Sequence, residues 1–164
     1  MTELTQGPVV ITRRPLGQLF EVAAWDDGSA PPAGETVLPI GRHRWLVIGE
    51  PASAANCSTV DVSGGFVCLA ISGDLARDLL RAEITLDLAE FPPGRIAVTR
   101  LAETRVILAA EQGGVYALYV PASGQAAIES RLVEIAAGLG ADVLIDISES
   151  LIPRPASMQA LGLK

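Results

Sequence analysis

The chain has 164 residues, 49% of them hydrophobic and 19% charged, with a formal net charge of −7 at pH 7. This length suits one domain that buries roughly 70% of the surface its unfolded form exposes. The negative charge argues against a general nucleic-acid binder, which needs a basic face to neutralise phosphates. The only lysine is Lys164, and the arginines are scattered between Arg13 and Arg154 without a cluster.

No window approaches the ~20 consecutive apolar residues that span a bilayer. The N-terminus also lacks the basic and apolar regions of a signal peptide. We therefore expect a cytoplasmic protein. Cys57 and Cys68 are not part of a CxxC pair or a histidine cluster, so they indicate neither a zinc site nor a redox motif. A disulfide between them is disfavoured in this compartment, and Cys68 is expected in the core.

The first half of the chain predicts short strands joined by turns. Residues 1–8 are polar and are expected to be loose. The predicted strands are residues 9–11, 18–25, 36–40 and 44–48. Residues 18–25 also fit a helical spacing, and residues 50–58 fit either a short helix or a loop. A connection rich in Gly, Pro and Asp spans residues 26–34 and is interpreted as a loop within one domain.

Residues 60–80, VDVSGGFVCLAISGDLARDLL, predict a strand, a turn, a second strand, a turn and a helix. Gly64 and Gly65 are interpreted as turn glycines, since no helix follows them directly to hold a phosphate. From Asp74 onward the apolar spacing becomes helical. Asp74 is expected to stabilise the helix N-terminus, and Asp78 and Arg81 are expected to form a weak surface pair.

Residues 95–101, 104–110 and 115–120 are predicted strands whose short links imply an antiparallel meander. A long helix follows, with Ser123 as its expected N-cap and Gly138 and Gly140 at its end. Glu129, Arg131 and Glu134 are predicted to face away from the core. The predicted apolar face consists of Ile128, Leu132, Ile135, Ala136 and Leu139.

The last predicted strand is residues 142–147, and a proline-containing tail covers residues 148–164. Together the elements predict an α+β fold in which an antiparallel β-sheet is layered with two main helices on one side. We interpret residues 1–164 as a single domain.

The sequence contains no GxGxxG, Walker, GxSxG or HExxH motif. The single histidine, His43, lies in a predicted turn and is interpreted as solvated rather than catalytic. Dispersed carboxylates offer acid or base groups, but no partner histidine or lysine accompanies them. These carboxylates are Asp61, Asp74, Asp78, Asp87, Glu90, Asp142 and Asp146. We therefore assign no catalytic and no metal-binding residue, and leave cofactor-binding residues unassigned.

Several segments in order resemble the gamma subunit of heterotetrameric sarcosine oxidase. They are LPIGRHRWLVIG at 38–49, residues 60–80, TLDL at 85–88, FPPGRIAVTRLAETRVIL at 91–108 and VYALYVPAS at 115–123. The resemblance covers roughly residues 38–138, and the N-terminal part looks shortened. It implies a fold similar to the folate-binding domain of aminomethyltransferases such as the glycine-cleavage T-protein.

The resemblance also implies an accessory, non-catalytic role in a complex that oxidatively demethylates sarcosine or a related N-methyl amino acid. In such complexes FAD, FMN, NAD and tetrahydrofolate are carried mainly by the larger subunits. The expected partners are therefore a large flavin- and folate-binding alpha-type subunit and the remaining subunits.

The chain departs from the aminomethyltransferase pattern after the FPPG-like turn. Those enzymes place an asparagine, paired glycines and acidic residues there, whereas this chain has LAETRVI at residues 101–107. Glu103 is the only acid nearby and is interpreted as a turn residue. Two alternatives stay open: a stand-alone folate-binding one-carbon transfer protein that uses Asp61 or Asp87, and a self-associating scaffold.

Overall fold

A computed structural model describes residues 7–26, 31–51 and 56–146. This part of the chain contains ten strands and two α-helices. The strands are β1 (Val9–Arg14), β2 (Leu19–Ala24), β3 (Thr36–Gly41), β4 (Arg44–Ile48), β5 (Cys57–Asp61), β6 (Phe66–Ser72), β7 (Ile96–Leu101), β8 (Thr104–Ala110), β9 (Tyr116–Pro121) and β10 (Val143–Asp146). The helices are α1 (Ala76–Arg81) and α2 (Gln125–Gly138). The predicted tail at 148–164 and residues 1–6 of the predicted loose N-terminus lie outside the described residues.

The larger sheet has six strands in the order β10-β1-β6-β9-β8-β7. Strands β7, β8 and β9 form the predicted antiparallel meander, because the short links between them let each strand turn back on the last. Strand β1 pairs antiparallel with β6 and parallel with β10. The parallel pair joins strands from opposite ends of the described chain.

The smaller sheet has four strands in the order β3-β4-β2-β5. Residues 19–24 form strand β2, which confirms the strand interpretation of this segment over the helical one. Strands β3 and β4 form the predicted hairpin, with His43 at φ 57° in its turn. Gly64 has φ 79° in the turn between β5 and β6, and the Gly65 amide donates to the Val62 carbonyl at 2.9 Å. These two glycines are turn residues, as predicted.

Two hydrophobic clusters cover the two faces of the six-stranded sheet. On one face Leu69, Leu118 and Val120 pack with residues of both helices. On the other face Ile107 and Ala117 pack against residues of the smaller sheet. The alternation of side chains along each strand produces this division. The α+β prediction is confirmed, and the smaller sheet adds a third layer that the sequence did not predict.

Helix α2 differs from its prediction at three positions. Ser123 lies in a short 3₁₀ turn, and Gly124 is the N-cap without a side-chain cap, so the predicted Ser123 cap is wrong. Leu139 lies beyond the last helical residue and is exposed instead of packed on the apolar face. Glu129 is buried rather than turned away from the core, because it binds Arg13 of β1.

Gly138 is the last residue of α2 and Gly140 has φ 70°, which confirms the predicted helix end. Asp78 and Arg81 lie 4.0 Å apart with both side chains exposed, as expected for a weak pair one turn apart. Within residues 7–26, 31–51 and 56–146, no helix has both the length and the apolar character to cross a bilayer.

Candidate functional site

The β7–β8 hairpin occupies the position where the resemblance locates the aminomethyltransferase acid. Its two turn residues, Ala102 and Glu103, have φ values of 48° and 65°. The Glu103 side chain is almost fully exposed, and Arg100 donates to the Glu103 carbonyl oxygen at 3.0 Å. Glu103 is therefore the turn residue that the sequence predicts. No buried or enclosed environment holds its carboxylate for proton transfer.

The backbone conformation of this turn lowers the stability of the folded protein, and substitution could relieve the loss. A two-residue hairpin turn with both central φ values positive favours Asn-Gly, and other residues pay for the left-handed conformation. We expect Ala102→Asn and Glu103→Gly each to raise the free energy of unfolding by about 0.5–1 kcal/mol. Urea unfolding measures the change. Glu103→Ala, which removes the carboxylate and keeps the φ demand, is the control, and a gain of the same size there would contradict the backbone explanation.

Two of the carboxylates near residues 60–80 are engaged by neighbouring amides. Asp61 accepts a hydrogen bond from the Ser63 amide at 2.9 Å, and hydrogen bonds from Ser63 lower the pKa of Asp61. Asp87 accepts a hydrogen bond from the Ala89 amide at 3.0 Å and caps a short 3₁₀ turn. Both arrangements stabilise turns.

Asp74 and Asp78 are brought together at an open cleft beside α1 with a volume of about 530 Å³. The Arg77 Nε donates to the Tyr116 hydroxyl at 3.3 Å on its wall. The lining consists of Gly73, Asp74, Arg77, Asp78, Arg81, Gly113, Gly114 and Tyr116. Opposed guanidinium and carboxylate groups can bind charged groups, but the lining contains no histidine or cysteine to act as base or nucleophile.

The α1 cleft does not fit a folate. A pteridine ring requires apolar walls on both of its faces together with a few placed polar groups. The cleft offers instead glycines, two arginines and two aspartates, with the Tyr116 ring buried in the sheet. We therefore derive no folate chemistry from these residues.

A polar cluster lies on the sheet face that packs against the smaller sheet, and sequence reasoning missed it. Arg14 of β1 binds Glu111 at 2.7 Å. In the sheet register Arg14 is opposite Cys68, and Cys68 is opposite Tyr119. Burial raises the pKa of the Cys68 thiol to about 12 and raises the pKa of Tyr119 as well. Cys68 is therefore a neutral core residue and is not poised as a nucleophile.

The remaining candidates stand apart from one another. His43 lies at the β3–β4 turn, where the Arg42 Nε is 3.2 Å from the His43 Nε2. Asp142 precedes β10 and Asp146 ends it. In the part of the chain that the structure describes, no three His, Cys, Asp or Glu residues group into a metal site.

Searches with the sequence give no family: no protein-family model matches it, and no curated protein matches it significantly. The structure does match solved proteins. Aminomethyltransferase T of the glycine cleavage system from Bartonella henselae aligns over 87% of this chain and 48% of its own, with a TM-score of 0.57 and 12% identity. The chain thus has the fold of one part of an aminomethyltransferase and spans about half the length of that enzyme.

A chain of the heterotetrameric sarcosine oxidase from Corynebacterium sp. U-96, solved in complex with pyrrole 2-carboxylate, matches with a higher TM-score of 0.67. The two are 18% identical, and the alignment covers 83% of this chain and 87% of the other. The matched chain is therefore of similar size to this one. At this identity the likeness establishes the fold.

Proposed function

We propose that this chain is an accessory, non-catalytic subunit, similar to the gamma subunit, of a heteromeric complex like sarcosine oxidase. The alignment over 83% of this chain and 87% of the sarcosine oxidase chain carries the proposal, because the aminomethyltransferase aligns over only 48% of its own length. The exposed Glu103 supports it, since the hairpin lacks a buried acid where aminomethyltransferases are expected to hold one. The complex would oxidise sarcosine or a related N-methyl amino acid.

In this proposal the chemistry belongs to the partner subunits. FAD, FMN, NAD and tetrahydrofolate would be held mainly by the large alpha-type subunit and the remaining subunits. This chain would contribute a surface for the partner subunits and no active site. Its α1 cleft is open and charged, whereas small-molecule sites are usually enclosed and largely apolar.

Co-expression with the flavin-bearing large subunit of the same organism tests the proposal. We expect the two chains to co-purify at constant ratio through affinity and size-exclusion steps, with flavin absorbance in the shared peak. Isolated chain should show no sarcosine-dependent oxygen consumption, while the reconstituted complex should. Elution of the two chains in separate peaks at micromolar concentration would refute the proposal.

The match to aminomethyltransferase T favours a second candidate, a stand-alone folate-binding one-carbon transfer protein that uses Asp61 or Asp87. Titration of the isolated chain with tetrahydrofolate, followed by calorimetry, separates the two. A saturable micromolar response that Asp61→Asn or Asp87→Asn abolishes would establish the second candidate. No response up to millimolar tetrahydrofolate is the result that the accessory role predicts.

A further inference from the structure

Strand β10 forms an edge of the six-stranded sheet. Among the residues described, β1 is its only paired neighbour. The Val9 amide donates to the Asp142 carbonyl at 2.9 Å, and this bond determines which peptide groups of β10 face β1. In this hydrogen-bonding pattern the peptide groups of Asp142 and Leu144 face β1, and the N–H and C=O groups of Val143 and Ile145 point outward. The outer side of β10 is therefore a template for another strand.

Apolar side chains flank this edge on both faces. Ile145 pairs with Ile11, which belongs to the helix-covered face, so Ile145 is on that face and is 41% exposed. Leu144 is on the opposite face and is 56% exposed. A strand added at this edge would bury both side chains, which favours association.

Helix α2 extends the apolar surface next to Ile145. Glu129 binds Arg13 near the end of β1, and α2 then runs back toward the start of β10. Val133 lies one helical turn beyond Glu129 along α2, and Ile11 lies two residues before Arg13 along β1. The rise of one helical turn is similar to the rise of two strand residues. Val133, which is 40% exposed, therefore comes level with Ile145.

Charge decides which kind of strand this edge accepts. Asp142 comes directly before β10, and residues 132–145 contain no lysine or arginine. A second copy of the chain would bring a second Asp142 carboxylate to the same seam, and each copy has a net charge of −7. Like charges on opposed strands destabilise the pairing, so the edge selects a partner strand with basic residues.

The other edge of the sheet is less accessible. Strand β3 of the smaller sheet packs beside β7. The Arg105 guanidinium next to β7 donates to the Ile40 carbonyl of β3 at 2.6 Å. A partner strand that approached β7 would have to displace these contacts, whereas β10 requires no displacement of a described element.

We propose that β10 accepts an extended strand from the large flavin-bearing subunit, which adds a seventh strand to the sheet. The partner strand covers Ile145 and Val133 on one face and Leu144 on the other. An arginine or lysine side chain of that strand meets Asp142. This inference rests on the proposed function, because it names the surface through which the partner binds.

Three full-length variants, each co-expressed with the large subunit, test this surface. Leu144→Arg places a positive charge on the same strand face as Asp142, where it repels the basic residues of the partner strand. Val60→Arg on β5 is its matched control, because both residues are 56% exposed. Ile145→Pro removes an outward N–H without removing a bond to β1. We expect Leu144→Arg and Ile145→Pro each to weaken binding about tenfold and Val60→Arg to leave it within about twofold. Circular dichroism and thermal unfolding verify that each variant is folded.

The outcomes separate the two proposals. If wild-type chain binds the large subunit and all three variants bind equally well, the β10 surface is wrong and the accessory role stands. If wild-type chain does not bind, both proposals fail. If sedimentation shows a dimer of the lone chain that Ile145→Pro dissociates, a second copy occupies the edge. If Leu144→Arg and Ile145→Pro bind the partner more tightly than wild type, the direct docking is overturned.

Discussion

Gly73→Ala is expected to lower the free energy of unfolding by about 3 kcal/mol. Gly73 follows β6 at φ +113°, a conformation that residues with side chains rarely adopt. A Cβ atom there would lie 2.6 Å from the Pro8 carbonyl oxygen and 3.3 Å from the Val9 Cα. Both are backbone atoms of the segment that enters β1, so the strand itself would have to move.

Gly94→Ala is the matched control, because Gly94 has φ +93° and a Cβ atom there would meet nothing within 4 Å. It should cost about 1–2 kcal/mol, which is the conformational part alone. The difference between the two variants, measured by urea unfolding, isolates the collision between Gly73 and Pro8. Equal losses for both would mean that β1 shifts without cost and would contradict the close packing of this turn.

Glu129→Ala is expected to lower the free energy of unfolding by about 2.5 kcal/mol. Arg13 donates two hydrogen bonds of 2.7 Å to the carboxylate, and Gln125 donates a third at 3.2 Å. The Glu129 side chain is only 10% exposed, whereas Arg13 is 41% exposed. Because Arg13 regains water when its partner is removed, the loss stays below that of a fully buried pair. A double-mutant cycle with Arg13→Ala measures the coupling directly.

Glu134→Ala is the control for this pair. Glu134 binds Arg131 at 3.0 Å on the surface of the same helix, where both side chains are exposed. Its removal should change the free energy of unfolding by less than about 0.5 kcal/mol. A loss at Glu134 as large as that at Glu129 would show that helix propensity, and not the buried pair, explains the effect.

The same pair also predicts a dependence on pH. Hydrogen bonds from Arg13 lower the pKa of Glu129 below its ordinary value of about 4.3. A carboxylate whose pKa is lower in the folded state stabilises fully above the unfolded pKa and loses this contribution as the pH falls through the folded pKa. The stability difference between wild type and Glu129→Gln should therefore be constant above about pH 6 and shrink below about pH 4. A difference that grows on acidification would contradict the lowered pKa.

Local patterns predicted the elements and the meander, but not how the sheets assemble. The alternation in β7, β8 and β9 and the short turns between them leave one economical pairing, which the structure has. Nothing local indicates that β2 pairs with both β4 and β5 to make a separate sheet. That arrangement depends on the apolar face of the larger sheet, which needs a cover on the side without helices.

The wrong predictions for α2 also concern features that local sequence patterns do not show. The sequence pattern predicts Glu129 on the solvent face, because its partner Arg13 is 116 positions away in sequence and no local pattern reveals the contact. Ser123 has the right residue type for an N-cap, but a 3₁₀ turn from Ala122 to Gly124 precedes the helix. For the site, the turn position of Glu103 followed from sequence. The cluster of Arg14, Cys68, Tyr119 and Glu111 did not, because Arg14, Cys68 and Tyr119 meet only when β1, β6 and β9 are in register.

The pairing of β1 with β10 sets an order for folding. Val9 lies opposite Val143, so the larger sheet is complete only after nearly all of the described chain has been synthesised. During synthesis β1 is itself the outermost strand until residue 146 has left the ribosome, and its outward amides have no ladder partner before then. Contacts between such distant residues form slowly, because a long loop must close first. A nascent chain released before residue 143 would therefore expose β1 in place of β10 and present a different edge to every partner and chaperone it meets.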